Sequence, residues 1–166
     1  MWFYRLVSFC FFFSLTGCGF HPLYTPYNGR HNTSYPIKIG IIADRNGQIL
    51  RNSLVDLLTP EGVPPHPQYF LDVNLTETIS STGINKDEST SRKQARLTAN
   101  FILKDMKTNK ILYQHTTSAI NSFSIINQKY YSDLTAQKYA IREAAQLLAE
   151  NISLLITTYL NSCNEN

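Results

Sequence analysis

Tyr69-Phe70-Leu71-Asp72-Val73-Asn74-Leu75-Thr76 decides the fold. Tyr69, Leu71, Val73 and Leu75 alternate with Asp72, Asn74 and Thr76, the period of a half-buried strand. Downstream, Ala95, Leu97, Ala99, Phe101 and Leu103 repeat the pattern and predict a second alternating strand. The polar stretch Ser80 to Ser91 between them predicts a long hairpin loop. Lys107-Thr108-Asn109-Lys110 predicts a turn, and Ile111 to Asn121 a further strand.

Upstream, Pro36 to Ile42 is β-branched and alternating, the signal of a first strand. Asp44 to Gly47 then turns the chain. Gln48 to Leu58 places Leu50, Leu54, Leu57 and Leu58 at helical spacing, and Pro60 ends that helix. Pro60, Pro64, Pro65 and Pro67 stiffen the next connection. At the far end, Ser122 to Ser132 predicts an irregular connection. Asp133 to Leu160 then holds neither Gly nor Pro and predicts one long helix. Its seam is expected along Ala136, Ala140, Ala144, Leu148, Ile152, Leu155 and Tyr159.

The order is β-α-β-β-β-α. A helical crossover permits parallel pairing of the first two strands, and the remaining connections are hairpins. The expected fold class is α+β: a two-layer sandwich, a four-stranded mixed sheet with two helices on one face. Leu54, Leu71, Val73, Leu97, Phe101, Leu148, Ile152 and Leu155 are the expected core.

The N-terminus has another composition. Five of the nine Phe and the only Trp fall in the first 13 residues. Behind Arg5, the apolar run Leu6 to Leu15 is too short for a bilayer, which needs about 20 residues. It fits the core of an export signal over residues 1–17. Leu15-Thr16-Gly17-Cys18 resembles the lipobox of bacterial lipoproteins, which implies acylation of Cys18 and cleavage before it. Gly19, rather than Asp, after the Cys favours the outer membrane. Residues 18–35, with Pro22, Pro26, Gly29 and several Asn and Tyr, read as a lipidated tether. The domain is expected over 36–160 and a polar tail over 161–166. With Cys10 removed and Cys18 lipidated, Cys163 has no partner for an intramolecular disulfide.

Composition and motifs limit the function. The net charge of +3 is too mild for a dedicated nucleic-acid binder. His21, His31, His66 and His115 lack the spacing of a metal site. Neither a Gly-x-Ser-x-Gly turn nor a Gly-rich phosphate loop occurs. No catalytic residue, metal or cofactor is expected.

The charge is uneven. Lys86, Arg92, Lys93, Arg96, Lys104, Lys107 and Lys110 stand against Asp87, Glu88 and Asp105 within one segment, a net +4. Arg92, Arg96 and Lys104 share strand parity, opposite to Leu97 and Phe101. They are expected on the sheet face without helices. Such a stripe is either a solvated face or a surface for a multivalent anion, since Arg binds phosphate bidentately.

Cys18-Gly19-Phe20-His21-Pro22-Leu23-Tyr24 is similar to the Cys-Gly-Phe-x-Pro-Leu-Tyr start of the LPS-assembly lipoprotein family, LptE. Leu50-Arg51-Asn52-Ser53-Leu54 resembles the family's first helix, and Tyr69-x-Leu71-x-Val73-x-Leu75 its second strand. The stretch from Ala136 through Tyr139-Ala140, Ala144-Ala145 and Leu148-Ala149 to Ile152 and Tyr159-Leu160 resembles its C-terminal helix. One departure is Ser122-Phe123-Ser124, where the family has Ser-Tyr-Asn.

The resemblance implies a non-enzymatic, outer-membrane lipoprotein facing the periplasm. It implies that the chain plugs the LptD β-barrel, supports its assembly and contacts lipopolysaccharide on its way to the outer leaflet. Lipid A and core phosphates would then be the anions for Arg92, Arg96 and Lys104. The competing readings are an accessory lipoprotein of a periplasmic lipid-transport or secretion complex, and an anchored hydrolase without a recognisable motif.

Overall fold

The computed structural model describes residues 35–84, 90–126 and 130–164. The order is β1 (Ile37–Ile39), α1 (Asp44–Leu58), β2 (Tyr69–Ile84), β3 (Thr90–Asp105), β4 (Ile111–Ile126) and α2 (Tyr130–Asn164). This is the expected β-α-β-β-β-α order. The strands form one mixed sheet in sequence order, β1-β2-β3-β4. β1 pairs parallel to β2, with Ile37 opposite Tyr69 and Ile39 opposite Leu71. The β2–β3 and β3–β4 pairs are antiparallel.

The alternation sets the layers. Leu71, Val73, Leu97, Phe101 and Leu103 send their side chains to one face, where they are buried with Leu50, Leu54 and Leu58 of α1 and Leu148, Ile152 and Ile156 of α2. Seven of the eight expected core residues are buried. Leu155 is only half-buried, packed at the margin of the core.

The seam of α2 is wider than expected. Ile141, Ala145, Ala149, Ile156 and Leu160 join Ala140, Ala144, Leu148 and Ile152, while Ala136 and Tyr159 are half-buried. From Ala140 the buried line keeps every fourth residue through Ile156 and Leu160, with Ile141, Ala145 and Ala149 buried beside it, so the expected step of three to Leu155 and Tyr159 leaves the packed side.

Several boundaries differ. The expected loop at Ser80 to Ser91 is mostly ladder: Ile79 faces Ala95, Ser81 faces Lys93 and Ile84 faces Ser91, with a shift between Ser81 and Gly83. Its Thr and Ser residues give no apolar alternation, but Thr is β-branched and the backbone pairing suffices. β4 runs on to Ile126 through the expected irregular stretch, because Phe123 is buried. α2 starts at Tyr130 and continues past Leu160 through Asn164.

α1 starts at Asp44, inside the expected turn, and Asp44 has φ 67°. A Cβ on Gly47 would lie 2.7 Å from Ile42 Cγ2, so glycine lets the first turn of α1 rest on buried Ile42. β1 is three residues rather than seven. Gly40 N–H still donates to Leu71 O at 2.8 Å, after which Ile42 turns into the core. The Arg51 side chain ties α1 back to this exit, its Nε donating to Gly40 O at 3.1 Å.

Candidate functional site

Both helices lie on the odd-numbered face of β2 and β3, which leaves the even-numbered face open. On β3 that face carries Arg92, Arg96 and Lys104, as parity predicts. Arg92 and Arg96 are exposed. Arg92 stands between Gly83 of β2 and Ser124 of β4, and Arg96 between Thr78 and Ile120.

The three cations do not form one cluster. Four residues of strand separate Arg92 from Arg96 by about 13 Å, and eight separate Arg96 from Lys104 by about 26 Å. Lys104 lies at the other end of the face. Its Nζ meets Asp72 Oδ2 at 3.5 Å, and its side chain is 28% exposed. This ion pair partly neutralises it, so Lys104 is the weakest anion ligand of the three. Between the two ends the face is neutral, with Thr116 Oγ1 donating to Asn100 Oδ1 at 2.6 Å.

Lys38 was not anticipated. It is exposed on β1 and aligned with Phe70, which in turn faces Lys104. The two lysines flank one half-buried aromatic ring. The short β1 and its burial pattern, with Ile37 and Ile39 inward, could have placed Lys38 on the open face. Lys93 has the opposite parity and faces Phe123 on the helix side. Lys86, Asp87 and Glu88 of the basic segment, and Cys18, lie outside the described residues.

A second basic cluster on the helix side was also not foreseen. Arg45 of α1 with Lys138 and Arg142 of α2 line a groove of about 260 Å³ above β2. Glu77 closes its floor, its Oε2 accepting from Asn46 Nδ2 at 2.7 Å. No sequence signal joins these residues, because they come from the two ends of the chain.

Two ionisable groups are shifted, each for a local reason. The Thr108 and Lys107 backbone N–H groups bind the Asp105 carboxylate and hold its pKa below 3.8. A hydrogen bond with Cys163, then burial, raises the Tyr159 phenol. Tyr159 stacks on Tyr113 at 4.8 Å between centroids, and Tyr113 stacks on His115. These rings pack the C-terminal half of α2 on β4. Among the described residues, no group of three His, Cys, Asp or Glu is placed to hold a metal ion. None of the described helices is long and apolar enough to cross a membrane.

Comparison with known proteins assigns this α+β domain. The model of the LptE family, lipopolysaccharide-assembly, matches residues 36–154. The chain belongs to that family, as the Cys18–Tyr24 motif and the helix and strand patterns suggested. Among curated proteins, none matches. Solved structures share the fold. A Caulobacter crescentus lipoprotein is 22% identical, with a TM-score of 0.60 over 76% of this chain and 91% of that one. A minor lipoprotein from Acinetobacter baumannii is 22% identical, with a TM-score of 0.57 over 75% and 92%. Rare lipoprotein B from Shewanella oneidensis is 7% identical, with a TM-score of 0.56 over 78% and 98%. At these identities the likeness speaks for the fold alone.

Proposed function

We propose that this LptE-family chain is an outer-membrane lipoprotein without enzymatic activity, anchored by acyl groups on Cys18, that plugs an LptD-type β-barrel and contacts lipopolysaccharide through the open sheet face. Family membership supports the assembly role. The observation that carries the ligand reading is the exposed Arg92 and Arg96 on a face that no helix covers. Their spacing of about 13 Å suits two separate phosphates of one glycolipid. Each exposed contact is worth at most about 1 kcal/mol, so the two must act together.

The test has three arms. Mass spectrometry of the membrane-extracted protein should find an acylated Cys18 at the N-terminus, and Cys18→Ala should accumulate precursor. Purification from detergent-solubilised outer membranes should yield a stoichiometric complex with one large barrel. An inner-membrane transporter in its place would support the accessory-lipoprotein reading instead. The double variant R92E/R96E should lose lipopolysaccharide binding about tenfold, with weaker salt dependence of what remains, while barrel association persists. Unchanged binding by a folded double variant would return both arginines to a solvated face. Loss of the barrel would assign the stripe to the protein partner.

A further inference from the structure

The sheet has an unguarded edge. β4 is the last strand, and among the described residues its side away from β3 faces no other strand. It is 16 residues long. From Ile111 to Ile126 it contains no Lys, Arg, Asp, Glu or Pro. Edge strands of this length normally carry such residues, because their free N–H and C=O groups template further pairing. The single irregularity, at Leu103/Lys104, lies at the start of β4; from Tyr113 onward the register with β3 is unbroken. Among the described residues, no backbone–backbone bond reaches β4 from outside its ladder with β3.

Beside this edge runs a groove of about 350 Å³. Ile120 and Asn121 of β4 form one wall, and Glu143, Leu147 and Glu150 of α2 the other. No residue of β1, β2, β3 or α1 lines it, so it opens on the outer side of the molecule. Ile120 is 40% and Leu147 45% exposed. Glu143 and Glu150 have no ion-pair partner among the described residues. The bases of this part of α2, Lys138 and Arg142, lie on its opposite flank, in the groove shared with α1. The β4 edge is thus a neutral strand beside a mostly polar groove that holds Leu147 between two carboxylates, with the Ile120 side chain on the open sheet face beside Arg96.

We infer that this edge accepts an extended segment of a partner polypeptide, uncharged where it pairs with β4 and carrying Lys or Arg side chains toward α2. Backbone pairing would supply affinity and the groove side-chain specificity. Charge selects this occupant over a second copy. Two-fold pairing of β4 with itself would bring Glu143 and Glu150 of both copies to one seam with no cation to offset them. A strand with alternate side chains toward α2 places one residue against Leu147 and basic residues about 13 Å apart on either side. Glu143 and Glu150 are about 10 Å apart along α2. The inference does not rest on the lipopolysaccharide reading, which concerns Arg92 and Arg96 on the open face.

The probe is the synthetic peptide Thr-Lys-Thr-Val-Thr-Lys-Thr, added to the full chain in detergent. Its binding should slow hydrogen exchange of β4 amides around Ser118 to Ser122. The double variant E143K/E150K should bind it at least tenfold more weakly and should prefer the analogue with Glu in place of Lys. E143Q/E150Q, which preserves shape, should lose several-fold. Protection elsewhere but not on β4 would overturn the proposal, as would affinity indifferent to these substitutions. A dimer in sedimentation without peptide, with β4 protected, would assign the edge to a second copy and overturn the partner strand.

Discussion

Gly47 shows how one missing methyl sets a packing distance. Alanine would normally favour a helix by about 1 kcal/mol over glycine. Here its Cβ would meet the side chain and the backbone carbonyl of buried Ile42, at 2.7 and 3.0 Å. Overpacking of this kind costs about 1–3 kcal/mol. Gly47→Ala should therefore lower stability by a net of about 1 kcal/mol in denaturant unfolding, and an unchanged or raised midpoint would refute the account. Asp105 is a second such residue. It caps the β3–β4 turn, with its Oδ1 accepting from Lys107 N at 2.7 Å and Thr108 N at 2.8 Å. Its folded pKa lies below the unfolded value of 3.8. The ionised form is thus the one that stabilises the fold: the contribution is complete above the unfolded pKa and lost as pH falls through the lower folded one. The Tm difference between wild type and Asp105→Ala should be flat above about pH 5 and should shrink below 3.8. A difference that grows on acidification would contradict this.

At the scale of elements, α2 is the main support of the sheet. Leu148 is fully buried, whereas Leu154 on the outer side is 67% exposed. Leu148→Ala should cost about 2–5 kcal/mol. Leu154→Ala should stay within about 0.5 kcal/mol. Equal losses at both positions would mean that α2 packs differently. The strands show what the sequence could reveal. Leu71, Val73, Leu97 and Phe101 alternate with polar residues, so their face and that of Arg92 and Arg96 were legible by parity. Thr76 to Ile84 was legible only in part, because Thr, Ser and Gly resemble a loop when no apolar face marks them. Arg45, Lys138 and Arg142 meet only through the packing of α1 on α2, which no local pattern encodes.

For the whole molecule, charge and cover are distributed asymmetrically. The helices seal one face of the sheet, Lys38, Arg92, Arg96 and Lys104 line the other, and the β4 edge carries no charge. One side suits a phosphate-bearing ligand and the adjoining edge a polypeptide, so the two could be occupied together. The face could be inferred from one strand. The edge required knowing which strand is last, and that depends on long-range pairing.

The brevity of β1 has a mechanical consequence. A pull from ahead of Tyr35 first meets the bonds of Tyr35 with Leu58 and Asn161 and of Pro36 with Gln68 and Tyr69, and then the three β1 pairs with β2 and the Gly40–Leu71 bond. The β2, β3 and β4 ladders behind it are each built on 16-residue strands. Under load from its N-terminus, with the C-terminus held, the molecule should yield in two stages. Detachment of β1 and α1 should come first, releasing about 110 Å of contour length up to Tyr69, before the meander opens. Optical-tweezer extension curves would reveal the step, and a single all-or-none rip would refute it. A pull from the N-terminus would then loosen the N-terminal layer while the three-stranded meander keeps its shape.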